Sequence, residues 1–245
     1  MLDLFSICFF MALAFFYKED IVSNTETVML DEDTSKHVIQ VLRMQNGEQL
    51  NLTDGKGNLF TAAIIDDHKK RCVVKIISIV RQPAPAKKIS IAVSLVKNAS
   101  RFEWFLEKAT EIGVTEIIPL ICDRTEKQHV RFDRMKGILI SAMLQSQQCW
   151  LPVLHEPIKF TKFISAEHTG QKFIAHCEDE NNKEPLTNKL INQSASKLIL
   201  IGPEGDFTKD EIQTALENDF IPVTLGDTRL RTETAGIVAA VLLTL

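Results

Sequence analysis

Arg229, Arg231 and Glu233 stand together just ahead of Ala235-Gly236-Ile237-Val238-Ala239-Ala240-Val241-Leu242-Leu243, an apolar run that closes the chain. A helix apolar on every side must be buried, and charges at its mouth need partners or a ligand. Two guanidiniums and a carboxylate in such a place serve a ligand, or simply pair Arg231 with Glu233. A second chemical feature lies upstream, in Gly202-Pro203-Glu204-Gly205-Asp206-Phe207. Glycines flanking a proline let the backbone turn sharply and approach a ligand closely.

The elements that must position these residues are legible. Lys197 to Ile201, apolar from Leu198 on, is a run of strand length suited to a strand buried on both faces. After the glycine loop, Thr208-x-x-Glu211 reads as a capping box, with Phe207 and Ile212 at the positions of a hydrophobic staple. Phe220 to Leu225 reads as another buried strand, Gly226-Asp227 as a turn, and Thr234 onward as the last helix. Ligands of open α/β sheets bind where such loops lie, at the carboxyl ends of strands.

The rest of the chain divides at Arg81-Gln82-Pro83-Ala84-Pro85-Ala86-Lys87-Lys88, a linker-like stretch. Before it, Leu50 to Thr53, Leu59 to Ile65 and Cys72 to Val80 are strands separated by turn residues, which predicts an all-β module. After it, strands at Ile89 to Val96, Val114 to Ile121 and Phe173 to Cys177 alternate with helices, which predicts a mostly parallel sheet. Ser100-x-x-Glu103 is the expected cap of the first of these helices, with Phe102, Phe105, Leu106, Ala109 and Ile112 as its apolar stripe and Gly113 as its end. A second helix carries Met135, Ile138, Leu139, Ala142 and Met143 on one face.

The strings Leu200 to Phe207 and Leu225 to Ala235 resemble the signatures of the RsmE-type 16S ribosomal RNA uridine N3-methyltransferases of the SPOUT superfamily. His37 to Arg43, Thr53 to Asn58, Arg101 to Gly113 and Ser141 to Ser146 resemble the same family in the same order, so the likeness runs from about Met11 to the carboxyl end. It implies an α/β fold: a PUA- or OB-like β-barrel over residues 11–82, a linker over 83–88, and a SPOUT methyltransferase domain over 89–245 with a carboxyl-terminal trefoil knot. It further implies S-adenosylmethionine as cofactor, the 16S rRNA of the small ribosomal subunit as substrate, and a homodimer, with neither membrane nor metal as partner. Carried onto this sequence, the cofactor site comprises His176, Leu200, Ile201, Gly202, Pro203, Glu204, Gly205, Leu225, Gly226, Leu230, Arg231, Thr232 and Ala235. Arg231 is expected to hold the uracil carbonyls and favour the N3 anion, and Glu233 to orient Arg231 or act as base. His176 fits loop packing better than catalysis.

Composition tests that expectation. The formal net charge of −4 provides no global attraction to phosphate, so local patches must carry RNA affinity. The candidates are Arg43, Lys97, Arg101, Arg124, Lys127, Arg131 and Arg134. His129 and His155 read as surface residues. Five dispersed cysteines fit a reducing cytoplasm and argue against a zinc site or a disulfide framework. Met1 to Phe16 is apolar but lacks a basic region, and the family likeness makes Met11 the expected natural start, with residues 1–10 an extension. Relatives carry a basic residue where Ala12-Leu13-Ala14 stands, and different neighbours around Gln145-Ser146. No Gly-x-Gly-x-x-Gly follows an early strand, and Gly202 to Gly205 lacks the P-loop lysine, which disfavours dinucleotide enzymes and nucleotide phosphatases. A non-catalytic ribosome-binding factor of the same fold, and a SPOUT enzyme for another RNA position, remain as alternatives.

Overall fold

The computed structural model of the chain describes residues 13–21, 25–126, 130–178, 183–190 and 196–245, in two compact units, 1–83 and 84–245. The expectations placed on residues 1–10, Met11, Lys127 and His129 lie outside the described residues.

The first unit is built on a five-stranded sheet. Strands β1 (Phe15–Tyr17), β2 (Thr27–Met29), β3 (Gln49–Thr53), β4 (Asn58–Asp66) and β5 (Val73–Arg81) take the order β1-β3-β4-β5-β2, with β1 parallel to β3 and the other pairs antiparallel. Alternation along β4 buries Phe60, Ala62 and Ile64 against Leu50, Leu52 and Val74. Helix α1 (Glu32–Lys36), capped by the Asp31 side chain, runs into a π-helical turn at His37–Val41. Arg43 follows it with a left-handed backbone, φ 57°.

The second unit is an eight-stranded sheet whose pairings are all parallel. In chain order its elements are β6 (Ile89–Ser94), α2 (Ala99–Ile112), β7 (Glu116–Ile121), α3 (Phe132–Gln145), β8 (Val153–Leu154), β9 (Ile158–Lys159), α4 (Phe160–Ile164), β10 (Gln171–Ala175), β11 (Glu184–Pro185), α5 (Leu186–Lys189), β12 (Lys197–Ile201), α6 (Lys209–Glu217), β13 (Ile221–Thr224) and α7 (Thr232–Thr244). The strand order β11-β13-β10-β12-β6-β7-β8 puts β12 at the centre, where all five of its residues are buried. Ile91, Val93, Ile199 and Ile201 face one core with Phe105 and Ala239, while Ala92, Leu198 and Leu200 face another with Phe160, Phe207 and Ile212. Among the described residues, no helix is long and apolar enough to cross a membrane.

Local details differ from the sequence reading in three places. The cap of α2 is Asn98, whose side chain accepts from Ser100 N, so Ser100 and Glu103 form no capping box; an asparagine two residues earlier outcompetes the serine. Gly113 does end that helix, at φ 96°. Strand β10 stops at Ala175, leaving His176 and Cys177 in the following loop. Helix α7 begins at Thr232, so Arg231 is its N-cap and Glu233 lies in its first turn. Nor is α7 buried all round, since Val241 is 40% exposed. The capping box of Thr208 and Glu211 on α6 forms in full.

Candidate functional site

Parallel strands β13, β10 and β12 are neighbours, so the loops leaving their carboxyl ends meet. The loop after β12 is shaped from within. A Cβ on Gly202 would come 3.1 Å from Phe207, so the glycine lets the loop fold back on the buried phenyl ring. Asp206 has a left-handed backbone, φ 66°, and its carboxylate accepts from Cys177 N at 2.7 Å, tying the β12 loop to the β10 loop. Thr232 Oγ1 donates to Gly202 O at 2.9 Å, tying the start of α7 to the same loop. In the β13 loop, Gly226 takes φ 144°, a conformation that side chains disfavour, and Thr224 Oγ1 bonds across it to its own loop.

Asp206→Ala keeps the left-handed strain that any Cβ brings here and loses the carboxylate's bonds to Cys177 N and Phe207 N, so stability is expected to fall by about 1–2 kcal/mol. Asp206→Gly loses the bonds without the strain and should be the milder variant in thermal denaturation. Equal losses would show that the backbone at this position carries no strain.

The three loops enclose a cleft. One part, of about 430 Å³, is lined by Ala175, His176, Cys177, Val223, Leu225 and Gly226 among others. A second, of about 280 Å³, is lined by Ile201, Gly202, Pro203, Glu204, Arg231 and Thr232. Ala175, Cys177, Arg229, Leu230 and Ala235 border both, so the two parts are continuous. Apolar walls with backbone polar groups at the glycine loops suit a ligand with a flat heterocycle and a polar tail. A third cavity, of about 440 Å³, lies at the amino ends of the strands, around Ser90, Glu116, His155 and Lys197, away from these loops. His155 there is an exposed residue whose ring bonds to Glu116 at 2.8 Å.

Most of the expected cofactor residues meet here, with two exceptions of placement. Leu200 is buried in β12 with its side chain in the core, and Gly205 sits beneath Arg124 on the side away from the cleft. The Glu204 carboxylate, although at the cleft, accepts from Lys97 N at 3.0 Å. Asp206 and Cys177 join the site without having been singled out, although Asp206 stood in the glycine loop and Cys177 follows the expected His176; Arg229, named with Arg231 and Glu233 ahead of the last helix, borders both parts.

Arg231 is exposed at the cleft, its side chain making no cap bond on α7. Glu233 is buried, lines neither part of the cleft, and faces Arg101 of α2 with Nε to Oε1 at 3.7 Å. It therefore does not pair with Arg231. Its second carboxylate oxygen is buried without a hydrogen bond.

The basic candidates do not form one free patch. Arg134 is held by Glu103 through two bonds, 2.5 and 2.7 Å. Arg124 Nη1 donates to Gly205 O at 2.6 Å and Phe207 O at 3.3 Å. Lys97 pairs with Glu126 at 2.8 Å, both largely in solvent, where such pairs contribute little and exchange readily. Arg43 and Arg131 are exposed.

Residues 82–244 match the family model of an RNA methyltransferase domain, and residues 30–77 match that of an RNA methyltransferase PUA domain. The chain belongs to this RNA methyltransferase family. It is 30% identical to the ribosomal RNA small subunit methyltransferase E of Synechocystis, over 87% of this chain and 71% of that protein. Among solved structures, a probable rRNA-methyltransferase from Porphyromonas gingivalis superposes with a TM-score of 0.86 at 37% identity, covering 93% of this chain and 95% of that one. The ribosomal RNA small subunit methyltransferase E of Neisseria gonorrhoeae, bound to S-adenosyl methionine, superposes with a TM-score of 0.82 at 30% identity, covering 93% and 95%. The fold of this methyltransferase is accordingly a PUA domain followed by a SPOUT-type α/β domain.

Proposed function

We propose that this enzyme methylates N3 of a uridine in the 16S RNA of the small ribosomal subunit, with S-adenosylmethionine as donor. The observation that carries the reading is the continuous cleft at the carboxyl ends of β10, β12 and β13, with an exposed arginine, Arg231, at one wall. The residues fit the donor. Leu225, Leu230, Val223 and Ala235 offer an apolar wall to adenine, while Gly202 and Gly226 let main-chain groups approach its polar parts. When bound, S-adenosylmethionine supplies an electrophilic methyl group on a sulfonium.

The protein's own residues have two tasks. Uracil N3 is a weakly acidic imide on the Watson–Crick edge, so the base must leave its stack to be reached. Arg231 then holds a uracil carbonyl oxygen, where negative charge grows as the N3 proton leaves, and a fixed guanidinium stabilises that charge without reorganising. Glu233, off the cleft, acts as a positioning residue that holds Arg101 at the start of α2. RNA contact falls to the exposed cations Arg43, Lys97 and Arg131 and to half-buried Arg101. Arg43, in left-handed backbone after a π-helical turn, has the local strain that functional sites concentrate. The partly exposed apolar side of α7, including Val241, is the surface on which a second copy would pack to form a homodimer. With a ribosomal substrate, the enzyme would act where small subunits are found, in the cytoplasm.

The test is nucleoside mass spectrometry of 16S RNA after small subunits lacking the modification are incubated with the enzyme and methyl-labelled S-adenosylmethionine. Labelled N3-methyluridine at one site supports the proposal, and label on another nucleoside transfers the enzyme to a different RNA position. Cofactor placement is checked separately through Cys177, the exposed cysteine among those described; Cys72, Cys122 and Cys149 are buried. Burial, and then the Asp206 carboxylate, hold its thiol above the usual range, so alkylation is run at mildly alkaline pH. S-adenosylmethionine is expected to slow labelling of the Cys177 peptide several-fold. Unchanged labelling at saturating donor would move the cofactor out of this cleft, and protection without methylation would point to a non-catalytic factor.

A further inference from the structure

The glycine loop after β12 has two sides, one at the cleft and one pressed against the loops that leave β6 and β7. The contacts on the second side are continuous. Arg124, three residues beyond the end of β7, sends Nη1 to both Gly205 O and Phe207 O. Its stem lies flat on Gly205, where an added Cβ would come 3.3 Å from Arg124 Cδ. Next to it, Asp123 N donates to Glu211 Oε1 at 2.9 Å, while Glu211 Oε2 accepts from Thr208 N at 2.8 Å. One carboxylate thus caps α6 and joins it to the β7 loop. That loop is itself anchored: Thr125 Oγ1 accepts from Cys122 N and bonds to Ser94 Oγ, each at 2.8 Å. From the β6 side, Lys97 N holds Glu204.

A loop that binds through its main chain depends on its carbonyls and amides pointing the right way before the ligand arrives. Two carbonyls of this loop are oriented by one guanidinium nitrogen, Nη1, whose charge strengthens each bond. We propose that Arg124 is a positioning residue of the methyl-transfer site, setting the shape of loop 202–207 from behind, and not a contact to RNA phosphate. The inference rests on the reading that the cleft binds S-adenosylmethionine.

The two roles separate experimentally. Arg124→Ala and Arg124→Lys are compared with the unmodified enzyme by calorimetric titration with S-adenosylmethionine, by methylation kinetics, and by binding of small-subunit RNA without cofactor over a salt series. Loss of the charge-assisted bonds is expected to weaken cofactor binding about tenfold or more in Arg124→Ala. KM for the cofactor should rise while kcat at saturation stays near that of the unmodified enzyme. RNA affinity and its salt dependence should not change, whereas loss of a phosphate contact would reduce the salt slope by about one. Arg124→Lys, which keeps the charge but not the planar guanidinium that seats Nη1 between the two carbonyls, is expected to fall between the two in cofactor affinity; it carries the test if the alanine variant fails to fold. An unmodified enzyme that binds no S-adenosylmethionine would refute the cleft assignment itself. Unchanged cofactor affinity in both variants, or a reduced salt slope with cofactor binding intact, would overturn the role of Arg124 alone.

Discussion

Arg231→Ala is expected to lower the methylation rate by about 10²–10³-fold, the scale of removing a preorganised donor to a developing anion, while cofactor affinity stays within about threefold. The split follows from where the side chain stands. Arg231 is exposed at the cleft, is N-cap of α7 without making a side-chain cap bond, and among the described residues its side chain ties none of the loops together. Thr232 Oγ1, not Arg231, ties α7 to Gly202. Truncation therefore removes a charge without loosening the walls, and thermal stability should not change. Arg231→Lys keeps the charge but loses the fork, and should recover only part of the rate. Cofactor affinity and rate falling together in Arg231→Ala would move this residue from the substrate to the donor.

The largest expected effect on stability is at Gly236. A Cβ there would lie 2.6 and 2.8 Å from Cε2 and Cδ2 of Phe105, a ring with no exposed surface at the centre of the α2, α7 and β6 packing. The ring cannot retreat, because Phe102 lies against it at 5.8 Å between centroids and the core behind is full. Gly236→Ala should therefore cost about 1–3 kcal/mol as an overpacked core. The shift has a functional consequence, since α7 carries Arg231 and Thr232 at its start: helix displacement misplaces the arginine, and methylation should fall along with Tm. Phe105→Leu in the same chain opens space for the added methyl, so the double variant should be more stable than the sum of the single losses predicts, by about 0.5–3 kcal/mol. Strict additivity would mean that α7 does not rest on Phe105 in the way described.

These predictions also mark the boundary between what the chain states locally and what the fold assembles. Sequence alone pointed to β12, because the run from Leu198 to Ile201, of strand length and ended by the glycine loop, suits a strand buried on both faces, while the burial of Lys197 at its head was not legible. It determined the glycine loop and the start of α6, because Thr208 and Glu211 satisfy each other's backbone across three residues. Family strings then led to Gly226, Leu230 and Arg231. These signals are short-range, so they survive without coordinates.

Tertiary structure decided the rest. Whether Glu233 pairs with Arg231, two residues away, or with Arg101 on another helix depends on α7 starting at Thr232 and crossing α2, which turns the carboxylate away from the cleft. Arg124, Arg131 and Arg134 stood close together among the basic candidates in the sequence. In the fold, Arg124 is drawn to Gly205 and Phe207 and Arg134 to Glu103. Cys177 and Asp206 meet because β10 lies beside β12, and Arg124 reaches Gly205 because β6 alone separates β12 from β7. Strand order is set by how all the apolar faces pack at once, and periodicity along one segment holds no record of its neighbour. The chemistry-bearing loops were therefore visible one at a time, while the cleft they share, and the side chains that brace it from behind, exist only once the sheet has formed.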